Sequence, residues 1–104
     1  MTIYALSTAQ GQAGVAIVRV SGNLAEKTIN ILTKKRLKPR EATLCNIYND
    51  NNEKIDESVV IYFERHKSFT GERVAEFHTH GSHAVIRALL KEISKIEGLR
   101  PAEA

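Results

Sequence analysis

The chain lacks several features that would point to particular classes of protein. It contains no Trp, two Pro and a single cysteine, Cys45, among 104 residues. One cysteine excludes an internal disulfide framework, so we expect a protein of a reducing, cytoplasmic compartment. No run approaches the ~18 apolar residues of a membrane helix, and residues 1–4 lack the basic and apolar regions of a secretion signal. These absences predict a soluble cytoplasmic protein with no membrane contact.

Familiar nucleotide-binding and hydrolase motifs are also absent. The sequence has no P-loop of the form G-x-x-x-x-G-K-(S/T), no G-x-G-x-x-G and no G-x-S-x-G. A length of 104 residues is sufficient for one domain, residues 1–104, with one modest core. We therefore expect any multi-step activity to be shared with other chains or other sequence, and we do not expect catalysis by this chain alone.

The hydrophobic pattern predicts an α+β domain. Strands are predicted over residues 2–8, 15–21, 42–48, 55–63 and 74–80, with a turn over 9–14 and a loop over 66–71. The apolar run at 15–21 is typical of a strand that is buried on both faces. A helix is predicted after Asn23, as N-cap, and a second from Ser82, ended by Gly98 and Pro101. The expected architecture is a mixed sheet of about five strands with two helices packed on it.

Positive charge is concentrated in one segment, residues 34–40. Five of its seven residues are Lys or Arg, whereas the whole chain has a net charge of only +3 and a pI near 9.2. Two interpretations remain open: cations solvated at the end of a helix, where the helix dipole favours them, or an edge that contacts nucleic-acid phosphates.

Histidines cluster at the end of the last predicted strand. His78 and His80 share one strand face, Glu76 lies on the same face, and His83 follows the glycine turn. This set is compatible with a metal site and thus with a metal-dependent hydrolase. Packing of one imidazole on the sheet and hydrogen bonding by another is the simpler alternative.

Two charges interrupt otherwise apolar strands, Arg19 in residues 15–21 and Glu76 in residues 74–80. An unpaired buried charge is costly, so the two side chains could form a structural salt bridge with each other. They could also form a ligand pocket, since a carboxylate accepts parallel N–H bonds from a heterocycle and a guanidinium binds a carbonyl or carboxylate oxygen. Composition leaves both possibilities open.

Three ordered segments resemble the N-terminal domain of the tRNA-modification GTPases of the MnmE (TrmE) family. Residues 11–22 read G-Q-A-G-V-A-I-V-R-V-S-G, residues 55–63 begin I-D-E and continue into V-V-I-Y-F, and residues 68–81 read S-F-T-G-E-R-V-A-E-F-H-T-H-G. The resemblance covers the chain from end to end. The chain departs from the family pattern at three places: it has Ala9-Gln10 where the family has Pro-Pro, Arg73 where the family has Asp, and Ser82-His83 where the family has Gly-Pro. The departure at Ser82-His83 argues against His83 as a family ligand.

The resemblance implies a fold similar to the folate-binding part of the glycine-cleavage T-protein. It implies a homodimerisation module that binds a tetrahydrofolate derivative of the 5-formyl type, with Arg19 and Glu76 as folate contacts by motif match. The family's full-length protein works with the flavoprotein MnmG on carbon 5 of the wobble uridine of tRNA. The GTP, magnesium and potassium of that full-length protein belong to a GTPase domain that we expect to lie outside this chain. We expect the N-terminal domain in this chain to be incomplete at its C-terminal end.

Overall fold

A mixed β-sheet forms the frame of the protein. The computed structural model describes residues 1–7, 14–65 and 71–103, so residues 9–13 of the predicted turn and residues 66–70 of the predicted loop lie outside the described residues. Within the described ranges there are six strands and two helices: β1 (Thr2–Leu6), β2 (Val15–Ser21), α1 (Ala25–Thr33), β3 (Thr43–Tyr48), β4 (Lys54–Phe63), β5 (Val74–His80), α2 (His83–Ser94) and β6 (Leu99–Pro101). The prediction of an α+β domain is confirmed.

The strand order across the sheet is β3-β4-β5-β2-β1-β6. β6 runs parallel to β1, and the other neighbouring pairs are antiparallel. The strands predicted over 42–48 and 55–63 are confirmed as β3 and β4, which pair as an antiparallel hairpin. β6 was not predicted, because three residues are too few to show a periodic pattern. Its last residue, Pro101, is tolerated because the strand lies at the sheet edge, where a missing N–H costs least.

Both helices pack on the same face of the sheet and bury one core. The core is built from alternate strand residues and the apolar stripes of the helices, including Val18, Val20, Val60, Phe77, Ile29, Leu32, Leu89 and Ile93. Cys45 belongs to this core as a small apolar residue, as expected, and burial raises the pKa of its thiol despite the nearby Lys35 charge. The helix-covered face thus supplies the hydrophobic stabilisation of the fold.

The opposite face of the sheet carries no helix in the described part of the chain. The prediction that β2 is buried on both faces is wrong: Ala16, Val18 and Val20 are buried, whereas Ile17 is partly buried and Val15 is 51% exposed. Apolar side chains on this second face explain the error, because they make the run look continuous. We call this surface the open face. The pairing of β3, β4 and β5 with β2 places four more apolar side chains on it: Leu44, Val59, Ile61 and Phe63.

Helix α1 begins differently from the prediction. Its N-cap is Leu24, with no side-chain cap, rather than Asn23. The hydroxyl of Thr2 accepts the Leu24 N–H at 3.1 Å, while the Asn23 amide oxygen accepts a bond from Arg65. The chain approaches β1 closely at Gly22, where a Cβ would lie 2.6–2.7 Å from atoms of Met1 and Thr2 and φ is +136°. Only glycine fits there.

Helix α2 begins as predicted at Ser82, whose hydroxyl accepts the Val85 N–H at 3.1 Å. It ends earlier than predicted, at Ser94, and Gly98 lies in the turn that leads to β6, with φ +94°. None of the helices in the described ranges is both long enough and apolar enough to cross a membrane.

Candidate ligand site on the open face

Arg19 and Glu76 are paired at the centre of the open face. They stand directly opposite each other on the antiparallel strands β2 and β5. Oε2 of Glu76 accepts bonds from Nε of Arg19 at 3.0 Å and from Nη2 at 2.7 Å. The Glu76 side chain is 12% exposed and that of Arg19 is 37% exposed. The structure therefore brings the two in-strand charges together as an ion pair that remains accessible from one side.

His78 completes this group. Its Nε2 lies 3.0 Å from Oε1 of Glu76, and an ionised carboxylate only accepts, so Nε2 is the donor. Burial alone would raise the pKa of Glu76. The hydrogen bonds and charges of Arg19 and His78 outweigh burial and hold the pKa of this carboxyl below its ordinary value. Glu76 is thus an anion at neutral pH, held by a donor on each oxygen.

The motif segments at 11–22 and 68–81 meet along β2 and β5. Besides the Arg19–Glu76 pair, the hydroxyl of Ser21 donates to the Glu72 carboxylate at 3.2 Å. The backbone N–H of Gly22 donates to the carbonyl of Arg73 at 2.8 Å. The sequence similarity therefore corresponds to one continuous structural unit rather than to separate loops.

The third motif segment, I-D-E at residues 55–57, meets the end of β5. Asp56 is 8% exposed and accepts bonds from the hydroxyl of Ser58 at 2.8 Å, the N–H of His80 at 3.1 Å and Nδ1 of His80 at 2.7 Å. Burial opposes ionisation of Asp56, but these bonds, with any charge on His80, lower the pKa of its carboxyl overall. Since Nδ1 donates, Nε2 of a neutral His80 is an acceptor, on a side chain that is 71% exposed.

A shallow pocket of about 230 Å³ lies beside the Glu76–His78 pair on the open face. Its apolar wall contains Val15, Leu44 and Val59, and its polar wall contains His78 and His80. A larger cleft of about 480 Å³ lies on the other side of the molecule, between α1, α2 and the β3–β4 turn. Three of its charged side chains pair with one another, since Lys95 contacts both Asp50 and Glu92. The smaller pocket adjoins the sequence-predicted site residues and is the better candidate.

The histidines do not gather around one point. His78 bonds to Glu76, His80 bonds to Asp56, and His83 is the first residue of α2. Among the described residues, no group of three or more His, Cys, Asp or Glu side chains could hold a metal ion. The metal-site hypothesis thus gains no ligand set from that part of the chain. The simpler alternative also needs correction, because the rings of His78 and His80 both bond to carboxylates.

Sequence reasoning named Arg19 and Glu76 but missed two partners. It did not consider His78 as a hydrogen-bond partner of Glu76, although its i, i+2 spacing from Glu76 already placed both on one strand face. It did not single out Asp56 as a buried charge, although the residue stands in an apolar strand as Arg19 and Glu76 do. The same test of in-strand charges would have found Asp56.

The family model "GTP-binding protein TrmE N-terminus" matches residues 2–104, and the chain belongs to this family.

Three of the relatives that it resembles share the name tRNA modification GTPase MnmE. The protein from Wolbachia pipientis subsp. Culex pipiens (strain wPip) is 50% identical over 104 residues, which is 98% of this chain and 24% of that protein. The protein from Agrobacterium fabrum (strain C58) is also 50% identical over 104 residues, with 99% and 24% covered. That from Ehrlichia ruminantium (strain Gardel) is 52% identical over 96 residues, with 91% and 22% covered. The chain spans about a quarter of the length of these curated relatives.

Proposed function

We propose that this chain binds a reduced folate, a tetrahydrofolate derivative of the 5-formyl type, on its open face through Arg19 and Glu76. The observation that carries the proposal is the accessible Arg19–Glu76 pair in the centre of the open face, next to the apolar side chains of Ile17 and Ile61. A charged pair with apolar surroundings is the usual make-up of a site for a largely apolar ligand with one polar edge. Membership of the TrmE N-terminal family supports the same conclusion.

The residues fit the chemistry of a pterin ring. Arg19 uses two of its five N–H donors on Glu76, which leaves donors for a ring carbonyl. Oε1 of Glu76 takes one bond, from His78, and keeps a second lone pair that can accept from an amino group or a ring N–H, whereas Oε2 already accepts two bonds from Arg19. The lowered pKa of Glu76 keeps it an acceptor at neutral pH. Binding would therefore add bonds to the existing pair without separating it.

The size of the pocket favours completion of the site by a second copy of the chain. About 230 Å³ is less than the roughly 300–1,000 Å³ of typical small-molecule sites. Apolar side chains around it are accessible, with Leu44 60% exposed and Val15 51% exposed. A homodimer joined through the open face would cover these side chains and enclose the ligand.

We further infer a role in tRNA modification, from the names of the relatives. In this proposal the folate carries a one-carbon unit that is added at carbon 5 of the wobble uridine. The flavoprotein MnmG, tRNA and GTP with magnesium and potassium would act with the longer protein of which such a domain is a part. The contribution of this chain would be to bind and orient the folate.

Calorimetric titration with 5-formyl-tetrahydrofolate tests the proposal. Charge-assisted hydrogen bonds contribute about 1.5–3 kcal/mol each, so Arg19→Ala and Glu76→Gln should each weaken binding by at least roughly tenfold. Glu53→Gln and Arg87→Gln are matched controls, since both residues are exposed and distant in sequence from the pair, and they should bind like the parent. Circular dichroism checks that each variant is folded. Equal affinity in all five proteins, or no binding by a folded parent, would refute the proposal.

A further inference from the structure

The basic segment, residues 34–40, dominates the charge of the protein. Its five cations are Lys34, Lys35, Arg36, Lys38 and Arg40. Without them the chain has ten basic and twelve acidic residues, a net charge of −2. The basic character of the protein therefore lies in one stretch of seven residues and is not a general property of its surface.

All five cations are exposed, and the segment carries them on a fixed backbone. Lys34 ends α1 in the left-handed conformation, with φ 60°. Leu37 is buried in the core, and the N–H of Arg40 donates to the carbonyl of Tyr62 on β4 at 2.7 Å. The Pro39 ring further restricts the chain between these two attachments. A fixed loop loses little conformational entropy when its side chains bind a partner.

The charges of the segment are not neutralised within the described part of the chain. In that part of the chain, the Lys and Arg side chains that form salt bridges are those of Arg19 and Lys95. No residue of the basic segment takes part in a salt bridge there. Lys34 contacts a neutral amide, Asn52, and lies 5.5 Å from the centre of the Tyr48 ring. The other four side chains have no carboxylate partner among the described residues. Such a cluster repels itself, and a polyanion that binds it would relieve the repulsion.

We propose that the basic segment binds the phosphate backbone of RNA, and that tRNA is the RNA it contacts. The partner rests on the proposed function, since the relatives are named tRNA modification GTPases. The charge, exposure and fixed backbone of the segment rest on the structure alone. Contacts of this kind are electrostatic and independent of sequence, so they position the RNA without selecting it.

Salt dependence of tRNA binding by the 104-residue chain tests the inference. The triple variant Lys35→Gln, Arg36→Gln, Lys38→Gln should reduce the slope of log K against log salt by roughly two to three, since each phosphate contact contributes about 0.7–0.9. The matched control is Lys54→Gln, Arg87→Gln, Lys91→Gln, which removes the same charge from exposed positions elsewhere. The control should keep the slope within about one of the parent value.

Three results would overturn the inference: no tRNA binding by the parent at low salt, equal loss in both triple variants, or equal binding to vesicles of anionic lipid in place of RNA. Folate affinity, measured on the same preparations, separates the two proposals. A triple variant that loses tRNA binding and keeps folate binding supports the inference. A parent that binds folate but not tRNA refutes the inference and leaves the proposed function intact.

Discussion

At the scale of single residues, the site depends on charges placed in strands. Arg19 and Glu76 were predictable because a charge in an apolar strand needs a partner or a ligand. Their mutual distance was not predictable, since it follows from the register of β2 against β5. The same limit applies to Asp56 and His80, which are 24 residues apart in sequence and meet only when β4 pairs with β5.

Asp56 gives a prediction about pH and stability. Its pKa is lowered in the folded state, so its carboxylate stabilises the fold at neutral pH, and this contribution is lost as the pH falls through the folded value, below about 4. Asp56→Asn should therefore lower the free energy of unfolding by about 1–3 kcal/mol at neutral pH, and by less at about pH 3, where protonation of the carboxyl in the unfolded chain has already removed part of its contribution. Urea unfolding at both pH values measures the difference.

Asp50→Asn is the control for this measurement. Asp50 is exposed and its ion pair with Lys95 lies at the surface, so the change should cost no more than about 1 kcal/mol at neutral pH. A deficit for Asp56→Asn that stays constant from neutral pH to about pH 3 would contradict the assigned role of the carboxylate.

At the scale of elements, local signals located the helices and long strands, but tertiary contacts decided their ends. The stripe of Ala25, Ile29 and Leu32 correctly predicted the buried face of α1. The predicted cap was wrong because Asn23 lies outside the helix: its amide oxygen accepts from Arg65, while Thr2 of β1 accepts the N–H of Leu24, the actual N-cap. No local pattern reports an acceptor that lies more than twenty residues away in sequence.

The two helix starts give a paired prediction. Ser82→Ala removes a side-chain cap and should lower the free energy of unfolding by about 1 kcal/mol. Asn23→Ala removes only an exposed bond to Arg65 and should cost a few tenths of a kcal/mol, as is usual for surface substitutions. Urea denaturation of both variants compares the costs. A larger loss for Asn23→Ala than for Ser82→Ala would show that Asn23 is the true cap.

At the scale of the whole molecule, the α+β architecture was predictable from the order and spacing of the elements, whereas the state of the open face was not. A continuous apolar strand such as β2 is expected to be covered on both sides. In this chain the helices cover one side only, because both α1 and α2 contribute to the same core. The apolar residues left on the other side are the feature that favours a partner surface.

The proposed homodimer leads to a prediction for the open face. Leu44→Lys and Val15→Lys should each weaken self-association by at least roughly tenfold, since an unpaired charge is costly to bury in an interface. Ile31→Lys, at an exposed position on α1, should leave association unchanged. Analytical ultracentrifugation over a range of concentrations measures the three constants. Equal effects at all three positions, or a monomeric parent at high concentration, would contradict a dimer formed through this face.

The position of β6 beside β1 also constrains how the chain folds. Thr2 pairs with Leu99, so the first and last strands become neighbours only after nearly all of the intervening sequence has been synthesised. Until then β1 is an edge strand with unsatisfied backbone groups, which invite pairing with other chains. Closing so long a loop is entropically slow, and final docking of β6 is therefore expected to follow formation of the β2–β5 centre. On the ribosome, the nascent sheet would remain open on that side until its last residues emerge.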